Sequence, residues 1–323
     1  MSTEYTLSPA QFEKFLSIAN SIESLRSLSE EEKEALIYKI HSTPYIDLMC
    51  DWAFKHVFGH NEENLKMLLN DLLPEKIEHI EYESNELDPF KGDDKQVIMD
   101  VLCHTQTGKF VVEMQKAKND EFRNRMLYYG AASIYKQLKK GDNYNKLVPV
   151  YVICFMNFRL HHKTNQLVYR YQVREQDTSE LYGNQLSLYF CELPRFIRPK
   201  KNMSPVEEWF DLLRNMHNFA VNPDHINKRF HSILDACYQP GLNDLEQTQY
   251  LRAMLTEDEK QSIGRAYYED GFLDGMEQGE TKGRAEGKAE ALRETARTLR
   301  KMNLSIADIA KATGLSVQEI EAL

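Results

Sequence analysis

The stretch from Val97 to Lys118 constrains the fold most strongly, because it has the pattern of two strands joined by a tight turn. Apolar and β-branched residues dominate both halves, and the polar, glycine-containing sequence QTGK at 106–109 separates them. This order of strand and turn residues is typical of a β-hairpin. The first half carries Asp100, and the second half carries Glu113 and Gln115. The stretch therefore predicts a hairpin with an acidic side chain on each strand.

The two acidic side chains of this hairpin are expected to face each other. Because strand side chains alternate between faces, Glu113 and Gln115 share a face that excludes Met114, and folding places Asp100 opposite Glu113. Two carboxylates in an apolar sheet are costly unless their charge is compensated. A hard divalent cation such as Mg²⁺ would compensate it, since it prefers oxygen ligands. The alternative is a surface hairpin with solvated carboxylates, and these residues alone leave both interpretations open.

The spacing of Asp100, Glu113 and Gln115 resembles that of the PD-(D/E)XK nuclease superfamily. In that superfamily the Asp and the Glu hold Mg²⁺, and the third position is usually a Lys that is thought to orient the attacking water. The Glu-x-Gln form is similar to Rpn-family recombination-promoting nucleases, also called PD-(D/E)XK nuclease family transposases. The resemblance implies that Asp100 and Glu113 bind Mg²⁺ and that Gln115 positions a water without the positive charge of a lysine.

A second motif, Asp-x-x-Phe-Lys-x-x-Phe-Gly, runs from Asp51 to Gly59 and resembles the opening of the nuclease domain in the same family. Phe54 and Phe58 are four residues apart and share a helix face, and Gly59 is expected to end that helix. The resemblance implies that Asp51 and Lys55 lie near the active site. There Asp51 would help the metal or its water, and Lys55 would contact a phosphate. The alternative is a capping aspartate and a solvated lysine.

A basic helix is predicted after the hairpin, over residues 120–140. In the family this helix carries an arginine, paired tyrosines and a glutamine. The resemblance therefore implies that Arg125, Tyr129 and Gln137 bind substrate. A guanidinium fork suits phosphate oxygens, which makes Arg125 the best candidate for a contact with the scissile phosphate. The alternative for Arg125 is a surface arginine that packs on a tyrosine.

The remaining patterns predict an α/β fold. The near-continuous apolar run Val148–Asn157 is typical of a strand buried on both faces, at the centre of a sheet. Further strands are predicted at Lys76–Ser84, Leu167–Val173 and Leu186–Leu193. The resemblance implies a restriction-endonuclease-like (PD-(D/E)XK) mixed sheet flanked by helices, followed by an all-helical C-terminal region.

Five segments follow from these patterns. They are a separate helical arm at 1–44, the nuclease-like core at 45–203, a helical bundle at 204–256, a Gly-x-x-x helical spacer at 257–303 and a helix-turn-helix-like tail at 304–323. Serines at 8, 29 and 204 are predicted N-caps, and Pro9 suits the first turn of a helix. The second helix of the tail carries Glu319 and Glu321 and no basic residue, which is unfavourable in a DNA major groove. We therefore expect a packing or partner module there, with direct DNA reading as the less favoured alternative.

Glycine recurs every four residues through the spacer, at positions 271, 275, 279, 283 and 287. Each glycine inside a helix costs about 1 kcal/mol relative to alanine, so packing has to offset the cost if the segment is helical. Close contact of two copies in a homodimer would do so, and the helical bundle is a second candidate dimer surface. The alternative is a solvated helical spacer. The charges between the glycines exclude a membrane helix pair.

Composition and charge restrict the compartment and the partners. The five cysteines include no Cys-x-x-Cys pair, which is typical of a reducing cytoplasm and argues against a zinc knuckle or a disulfide framework. Residues 1–10 lack the apolar core of a signal peptide, and no apolar run approaches the ~20 residues of a membrane span. The formal net charge of −10 means that DNA would have to bind a local basic face. We expect a cytoplasmic protein without membrane contact.

The resemblance as a whole implies an Mg²⁺-dependent DNA endonuclease that hydrolyses phosphodiester bonds and is linked to recombination or mobile elements. Hydrolysis is simpler chemistry for such a site than strand transfer. Two alternatives stay open. The first is a catalytically weak or inactive nuclease-like protein that binds nucleic acid or a protein partner. The second is a toxin-like nuclease of bacterial defence.

Overall fold

The computed structural model describes residues 7–87, 96–119, 121–198, 202–256, 287, 290–302 and 304–322. The chain divides into two compact units, Met1–Tyr267 and Tyr268–Leu323. The first unit contains the β-sheets and the residues of the two sequence motifs, and the second contains the C-terminal helices. Within the described ranges, no helix is both long enough and apolar enough to cross a membrane.

A mixed six-stranded sheet forms the centre of the first unit. Its strands are β1 (Glu81–Tyr82), β4 (Val101–His104), β5 (Lys109–Gln115), β6 (Val150–Met156), β7 (Val168–Gln172) and β8 (Leu186–Glu192). Their spatial order is β1-β4-β5-β6-β8-β7, and a separate ribbon pairs β2 (Glu86–Leu87) with β3 (Val97–Ile98). β5, β6 and β8 run parallel, and the strands toward both edges are antiparallel to their neighbours. The predicted α/β class is therefore confirmed.

Helices cover both faces of this sheet. They are α1 (Pro9–Ser21), α2 (Glu30–His41), α3 (Asp51–Phe58), α4 (Glu62–Leu72), α5 (Phe122–Tyr135), α6 (Pro205–Asn215), α7 (His231–Cys237) and α8 (Asp244–Leu255). On one face, Cys154 of β6 shares a core with Phe122 of α5. On the other face, Phe155 shares a core with α3, α4, α6 and α8. Every residue of β6 is buried, which confirms the central strand predicted within Val148–Asn157. Full burial of a side chain such as Phe155 contributes about 1.5–3 kcal/mol.

The predicted hairpin is confirmed for β4 and β5, which pair in antiparallel register with Val101 opposite Val112. The turn closes through a hydrogen bond of 2.9 Å from the Thr105 N–H to the Gly108 carbonyl. A side chain at Gly108 would place its Cβ only 2.4 Å from the carbonyl oxygen of Pro149. Glycine at this position therefore allows the turn to pack beside the segment that enters β6.

Asp100 lies at a bend before β4, and not inside a strand as predicted. The residues before it form β3, which belongs to the separate ribbon. The side chains of Asp100 and Glu113 accept hydrogen bonds from backbone N–H groups at the point where a regular ladder would continue. These side-chain bonds take over from ladder pairing, and the strand therefore begins only after Asp100.

Two predicted elements are shorter in the structure because side chains bind their backbone groups. The strand predicted at Lys76–Ser84 is reduced to β1, since the Asn70 side chain bonds both the N–H and the carbonyl of Ile77. The helix after the hairpin ends at Tyr135. Beyond it, the Gln137 side chain bonds the main chain of the segment before β6.

The helix starts predicted at serine residues are confirmed, with capping boxes at Ser8, Ser29 and Ser204. The arm at 1–44 is not separate, however. Phe15 of α1 belongs to the same core as Tyr250 of α8, and α2 also packs against α8. The apolar faces of α1 and α2 are buried by this contact, and the arm is part of the first compact unit.

The second unit has its own small core. A helix at 290–301 (α9) contributes Ala296, α10 (Ile306–Thr313) contributes Ile309, and α11 (Val317–Glu321) contributes Ile320. Gly314 joins α10 and α11 with a φ of +72°, a left-handed conformation that favours glycine. α10 and α11 are thus two short helices joined by a turn, and the helix-turn-helix-like role of the tail stays a prediction. Of the predicted glycine ladder, positions 271 to 283 lie outside the described residues, and Gly287 occupies a helical position.

Candidate active site

The motif residues meet at the carboxyl end of β5. Glu113 and Gln115 lie opposite Cys154 and Met156 of β6, on the face of the sheet that α5 covers. The parallel strands β5, β6 and β8 all end at this edge, where open α/β sheets commonly bind ligands. Asp100 reaches the same point from the bend before β4. The strand register and the bend therefore bring the two acidic residues together.

Reciprocal hydrogen bonds hold the two carboxyl groups side by side. The Asp100 N–H donates to Glu113 Oε1 over 3.0 Å, and the Met114 N–H donates to Asp100 Oδ2 over 2.8 Å. Glu113 is only 2% exposed, and the Asp100 side chain is 11% exposed. The structure thus has a nearly dry pair of acidic groups whose positions are fixed by the backbone.

The surroundings of this pair disfavour its doubly charged form. Burial raises the pKa of Asp100 well above its ordinary value, and the negative charge of Glu113 raises it further. Burial also raises the pKa of Glu113 to about 7, although the Asp100 N–H and the charges of Arg125 and Lys55 oppose the shift. Additional positive charge at this point would therefore stabilise the ionised pair. Strongly shifted acidic groups of this kind are concentrated at functional sites.

α3 contributes a charged pair to the same place. The Lys55 ammonium lies 2.9 Å from Asp51 Oδ1 and 3.3 Å from Asp100 Oδ1, so it bridges the two aspartates. Burial acts to lower the pKa of Lys55, but the negative charges of Asp100 and Asp51 outweigh burial and raise it. Lys55 is therefore a cation at neutral pH, and it supplies part of the charge that the acidic pair lacks.

α5 closes the other side of the site. The Gln115 amide nitrogen donates to Glu113 Oε2 over 3.1 Å, and the Arg125 guanidinium donates to the Gln115 amide oxygen. Tyr129, one helical turn after Arg125, is half-buried, and burial and the charge of Glu113 both raise its pKa. Arg125, Gln115 and Glu113 thus form a continuous polar chain from the helix to the strand, with Tyr129 beside it.

A family model for the PD-(D/E)XK nuclease family transposases matches residues 48–266. The matched segment covers more than half of the chain and includes α3, the hairpin and α5. The chain belongs to this family. The resemblance stated from the sequence motifs is confirmed, together with the fold that it implied. No curated protein and no solved structure matches the chain.

Membership of the PD-(D/E)XK family indicates a nuclease-like function with DNA as the substrate class, and nucleases of this kind generally use divalent metal ions. Asp100 and Glu113 fit such an ion, because two hard oxygen donors stand together where negative charge is poorly compensated. Within the described ranges, no group of three or more His, Cys, Asp or Glu side chains has the geometry of a metal site. Mg²⁺ commonly binds through one or two carboxylates, with water and substrate phosphates as its other ligands. Two carboxylates are therefore enough protein ligands for such an ion.

Gln137, which was predicted to bind substrate, lies away from the candidate active site. Its amide bonds the Val148 carbonyl over 3.2 Å and the Val148 N–H over 2.8 Å. Val148 precedes the start of β6, whereas Glu113 lies opposite Cys154 near its end. Six residues of extended chain span about 20 Å, so Gln137 cannot contact a substrate held at Glu113. Its role is to fix the segment that enters the central strand.

The structure adds residues that the family motifs do not contain. A cavity of about 260 Å³ adjoins Asp100 and Lys55, and it is lined on its other side by His60, Glu83 and Asn85. Glu83 and Asn85 follow the short strand β1, and the strand pattern predicted at Lys76–Ser84 does not mark either residue as part of a site. His60 directly follows Gly59, the last residue of the second motif, and that adjacency is the one signal that sequence reasoning could have used.

Proposed function

We propose that this PD-(D/E)XK family member is an Mg²⁺-dependent endonuclease that hydrolyses phosphodiester bonds in DNA, in recombination or in the mobility of genetic elements. The observation that most supports the proposal is the Asp100–Glu113 pair. It is buried, held by backbone hydrogen bonds and raised in pKa, at the position where the family motif has its acidic residues. A bound cation would stabilise the ionised form of such a pair.

Asp100 and Glu113 are the proposed ligands of the ion. A bound Mg²⁺ lowers the pKa of a coordinated water and offsets negative charge on the scissile phosphate. Gln115 has its amide oxygen engaged by Arg125 and one amide hydrogen by Glu113. One N–H therefore stays available to orient a water or a phosphate oxygen. Because an amide has no basic nitrogen, Gln115 cannot accept the proton that the water loses.

Arg125, Tyr129 and Lys55 are the proposed contacts with the substrate. The Arg125 Nε atom is buried and has no hydrogen-bond partner among the described residues, so its guanidinium retains a donor for a phosphate oxygen. The Tyr129 hydroxyl lies close enough to the acidic pair to respond to its charge. Lys55 would turn from Asp100 toward a phosphate once an ion compensates the carboxylates, while Asp51 keeps it nearby.

The proposed partner is DNA, bound through a local basic surface of a chain whose net charge is −10. Arg123 is exposed on the first turn of α5 and supplies a positive charge at the surface of that helix. All five cysteines are free and buried, which agrees with a proposed location in a reducing cytoplasm. A homodimer through the glycine ladder or the helical bundle stays a prediction.

Plasmid nicking by the purified full chain tests the proposal, with Mg²⁺ and with EDTA. We expect Mg²⁺-dependent nicking that falls by at least about 100-fold in Asp100→Asn and in Glu113→Gln, because each removes a ligand charge. Glu78→Gln is the matched control, since Glu78 is exposed and its only described ion pair is a long one of 3.9 Å with Lys76. Calorimetric titration with Mn²⁺ gives a second readout, which both site variants should lose. Equal nicking by wild type and both variants would contradict the proposal.

One observation favours the alternative of a binding protein without strong catalysis. In this structure, Lys55 and hydrogen-bond donors of the protein already engage all four oxygens of the acidic pair, and Gln115 replaces the usual lysine. Such a site is partly compensated without an ion. This alternative predicts a mobility shift of DNA in EDTA with no cleavage by the wild-type chain in Mg²⁺ or Mn²⁺.

A further inference from the structure

A second cavity lies on the opposite face of the same strand end. It has a volume of about 150 Å³ and is enclosed by α2, the segment 43–49, the chain beyond β5 and α8. Its apolar lining consists of Leu36, Ile40, Met49, Tyr250 and Met254. A well-formed apolar cavity with a few convergent polar groups is the usual form of a small-molecule site. Neither the family motifs nor the proposed nuclease chemistry uses this cavity.

The charged groups of this cavity leave it with a positive balance. The Lys116 ammonium and Asp47 Oδ2 are 3.2 Å apart, and both side chains are buried. Burial acts to raise the pKa of Asp47, but the charges of Lys116 and His217 outweigh it and lower the pKa, so Asp47 is ionised. Its charge and that of Lys116 cancel. Lys39 also lines the cavity from an exposed position, and the lining therefore carries one net positive charge before any contribution from His217.

His217 also lines the cavity, and one of its ring nitrogens is buried without a hydrogen-bond partner among the described residues. Its Nε2 lies 2.9 Å from the Asn218 amide nitrogen, which can only donate. Nε2 is therefore the acceptor, and in the neutral ring the proton is on Nδ1. Nδ1 is buried, has no hydrogen-bond partner among the described residues, and lies 3.7 Å from Asp47 Oδ1, too far for a hydrogen bond. A buried donor without a partner is unfavourable, and a ligand acceptor would satisfy it.

We propose that this cavity binds a small organic anion with a compact apolar body of about the size of one aromatic ring. An engineered cavity of similar volume in another protein binds benzene, which sets the size of the body. The anionic group would accept from the His217 Nδ1–H and lie near the Lys39 and Lys116 ammonium groups. The apolar body would pack against Met49, Tyr250 and Met254.

The cavity lies next to the backbone that carries Gln115 of the candidate active site. Lys116 directly follows Gln115, and their side chains leave the strand on opposite faces. Asn157, which also lines the cavity, donates its backbone N–H to the Gln115 carbonyl over 2.9 Å. A ligand that tightens Lys116 and Asn157 would therefore act on the backbone that carries Gln115. The binding step itself is independent of nuclease activity.

Calorimetry and thermal melts of the full chain with three matched probes test the proposal. Benzoate carries the predicted anion and ring, benzyl alcohol lacks the charge, and benzylamine reverses it. We expect benzoate to bind with a Kd on the order of 1 mM or tighter and to raise Tm, benzyl alcohol to bind about tenfold more weakly, and benzylamine not to bind. Benzylamine binding as well as benzoate, or no benzoate binding up to about 10 mM, would overturn the proposal.

Two variants locate the bound probe. Met254→Trp fills the cavity and is expected to abolish benzoate binding, whereas Met302→Trp, at an exposed position of the second unit, should leave it unchanged. His217→Phe removes the donor and should weaken benzoate about tenfold without affecting benzyl alcohol. His162→Phe is its exposed control. Far-UV circular dichroism confirms folding, and unchanged benzoate affinity in folded Met254→Trp would place the probe elsewhere and reject the site.

Discussion

At the end of β5, the two faces of the sheet shift the pKa of buried acidic residues in opposite directions. On the α5 face, Asp100 and Glu113 lie side by side, and burial and mutual repulsion raise the pKa of Asp100. On the other face, Asp47 is equally enclosed, but Lys116 and His217 lower its pKa. The two environments differ in the cation that contacts the carboxylate: Asp47 contacts the buried Lys116, whereas Asp100 contacts Lys55, which is partly exposed and also pairs with Asp51. A carboxylate with a dedicated buried cation is already satisfied, whereas a pair that shares one partly exposed lysine still gains from further positive charge.

The charged residues on one face are therefore expected to serve the stability of the fold, and those on the other face the proposed function. A buried ion pair is needed mainly because loss of one partner leaves the other charge unsolvated. A pair of acidic groups with raised pKa is costly to the folded state and is retained where a ligand repays the cost. Lys116 and Lys55 are therefore expected to differ strongly when each is replaced by an uncharged residue.

Lys116→Met should give the largest loss of stability. It leaves the Asp47 charge buried without its cation, which costs about 3–5 kcal/mol in comparable pairs. Lys55→Met should cost less than about 1 kcal/mol, because Lys55 is 31% exposed, its partner Asp51 is solvated, and its partner Asp100 can take up a proton instead. Urea unfolding at pH 7 measures both. The double variant Asp47→Asn with Lys116→Met should recover most of the loss, and equal losses for the two single lysine variants would contradict the comparison.

The two faces should also respond to pH with opposite signs. Glu113 has its pKa raised from 4.5 to about 7, so the folded protein holds more protons than the unfolded chain between these values. Its contribution is full below about pH 4.5 and is lost as pH rises through 7, by on the order of 3 kcal/mol for the metal-free protein. The raised pKa of Asp100 adds in the same direction. Asp47 has its pKa lowered below 3.8, so its contribution is present at neutral pH and is lost as pH falls below that value.

Urea unfolding between pH 5 and pH 8 in EDTA checks the part of this prediction that concerns Asp100 and Glu113. Stability of the wild type should fall across the range, and the fall should be much smaller in Glu113→Gln. Mg²⁺ should restore stability at pH 8 in the wild type, since it competes with protons for the same oxygens. Identical pH slopes in the wild type and in Glu113→Gln would show that the acidic pair is already compensated, as Asp47 is.

Sequence reasoning predicted the α5 face better than the opposite face. The opposition of Asp100 and Glu113 follows from strand alternation and from the turn that sets the register, both of which are local properties. Asp47 and Lys116 are separated by 69 residues and meet only through tertiary packing. The family motif ends at Gln115, and nothing in the sequence marks the next residue as part of an ion pair.

Family motifs and amphipathic patterns each leave a different property of the structure unpredicted. Gln137 matched a family position, but a sequence pattern does not state which end of a strand a side chain reaches, and this one bonds Val148. The capping serines located α1 and α2, because capping depends on neighbouring residues. Their apolar faces, however, do not identify their partner, and packing against α8 is known only from the structure.

Gln115→Lys restores the usual third residue of the family motif, and it is expected to have a smaller effect than Lys116→Met or the change of pH. A lysine cannot accept the hydrogen bond that Arg125 donates to the Gln115 amide oxygen, and it places two cations together. We expect a loss of about 1 kcal/mol in the free energy of unfolding and no gain in nicking rate. Gln115→Met, uncharged and of similar length, should lose a similar amount because it also removes the acceptor. A faster, more stable Gln115→Lys enzyme would contradict this expectation. It would mean that the added positive charge stabilises the acidic pair by more than the lost hydrogen bond to Arg125 costs. It would also mean that Lys55 compensates the acidic pair less than its contacts imply.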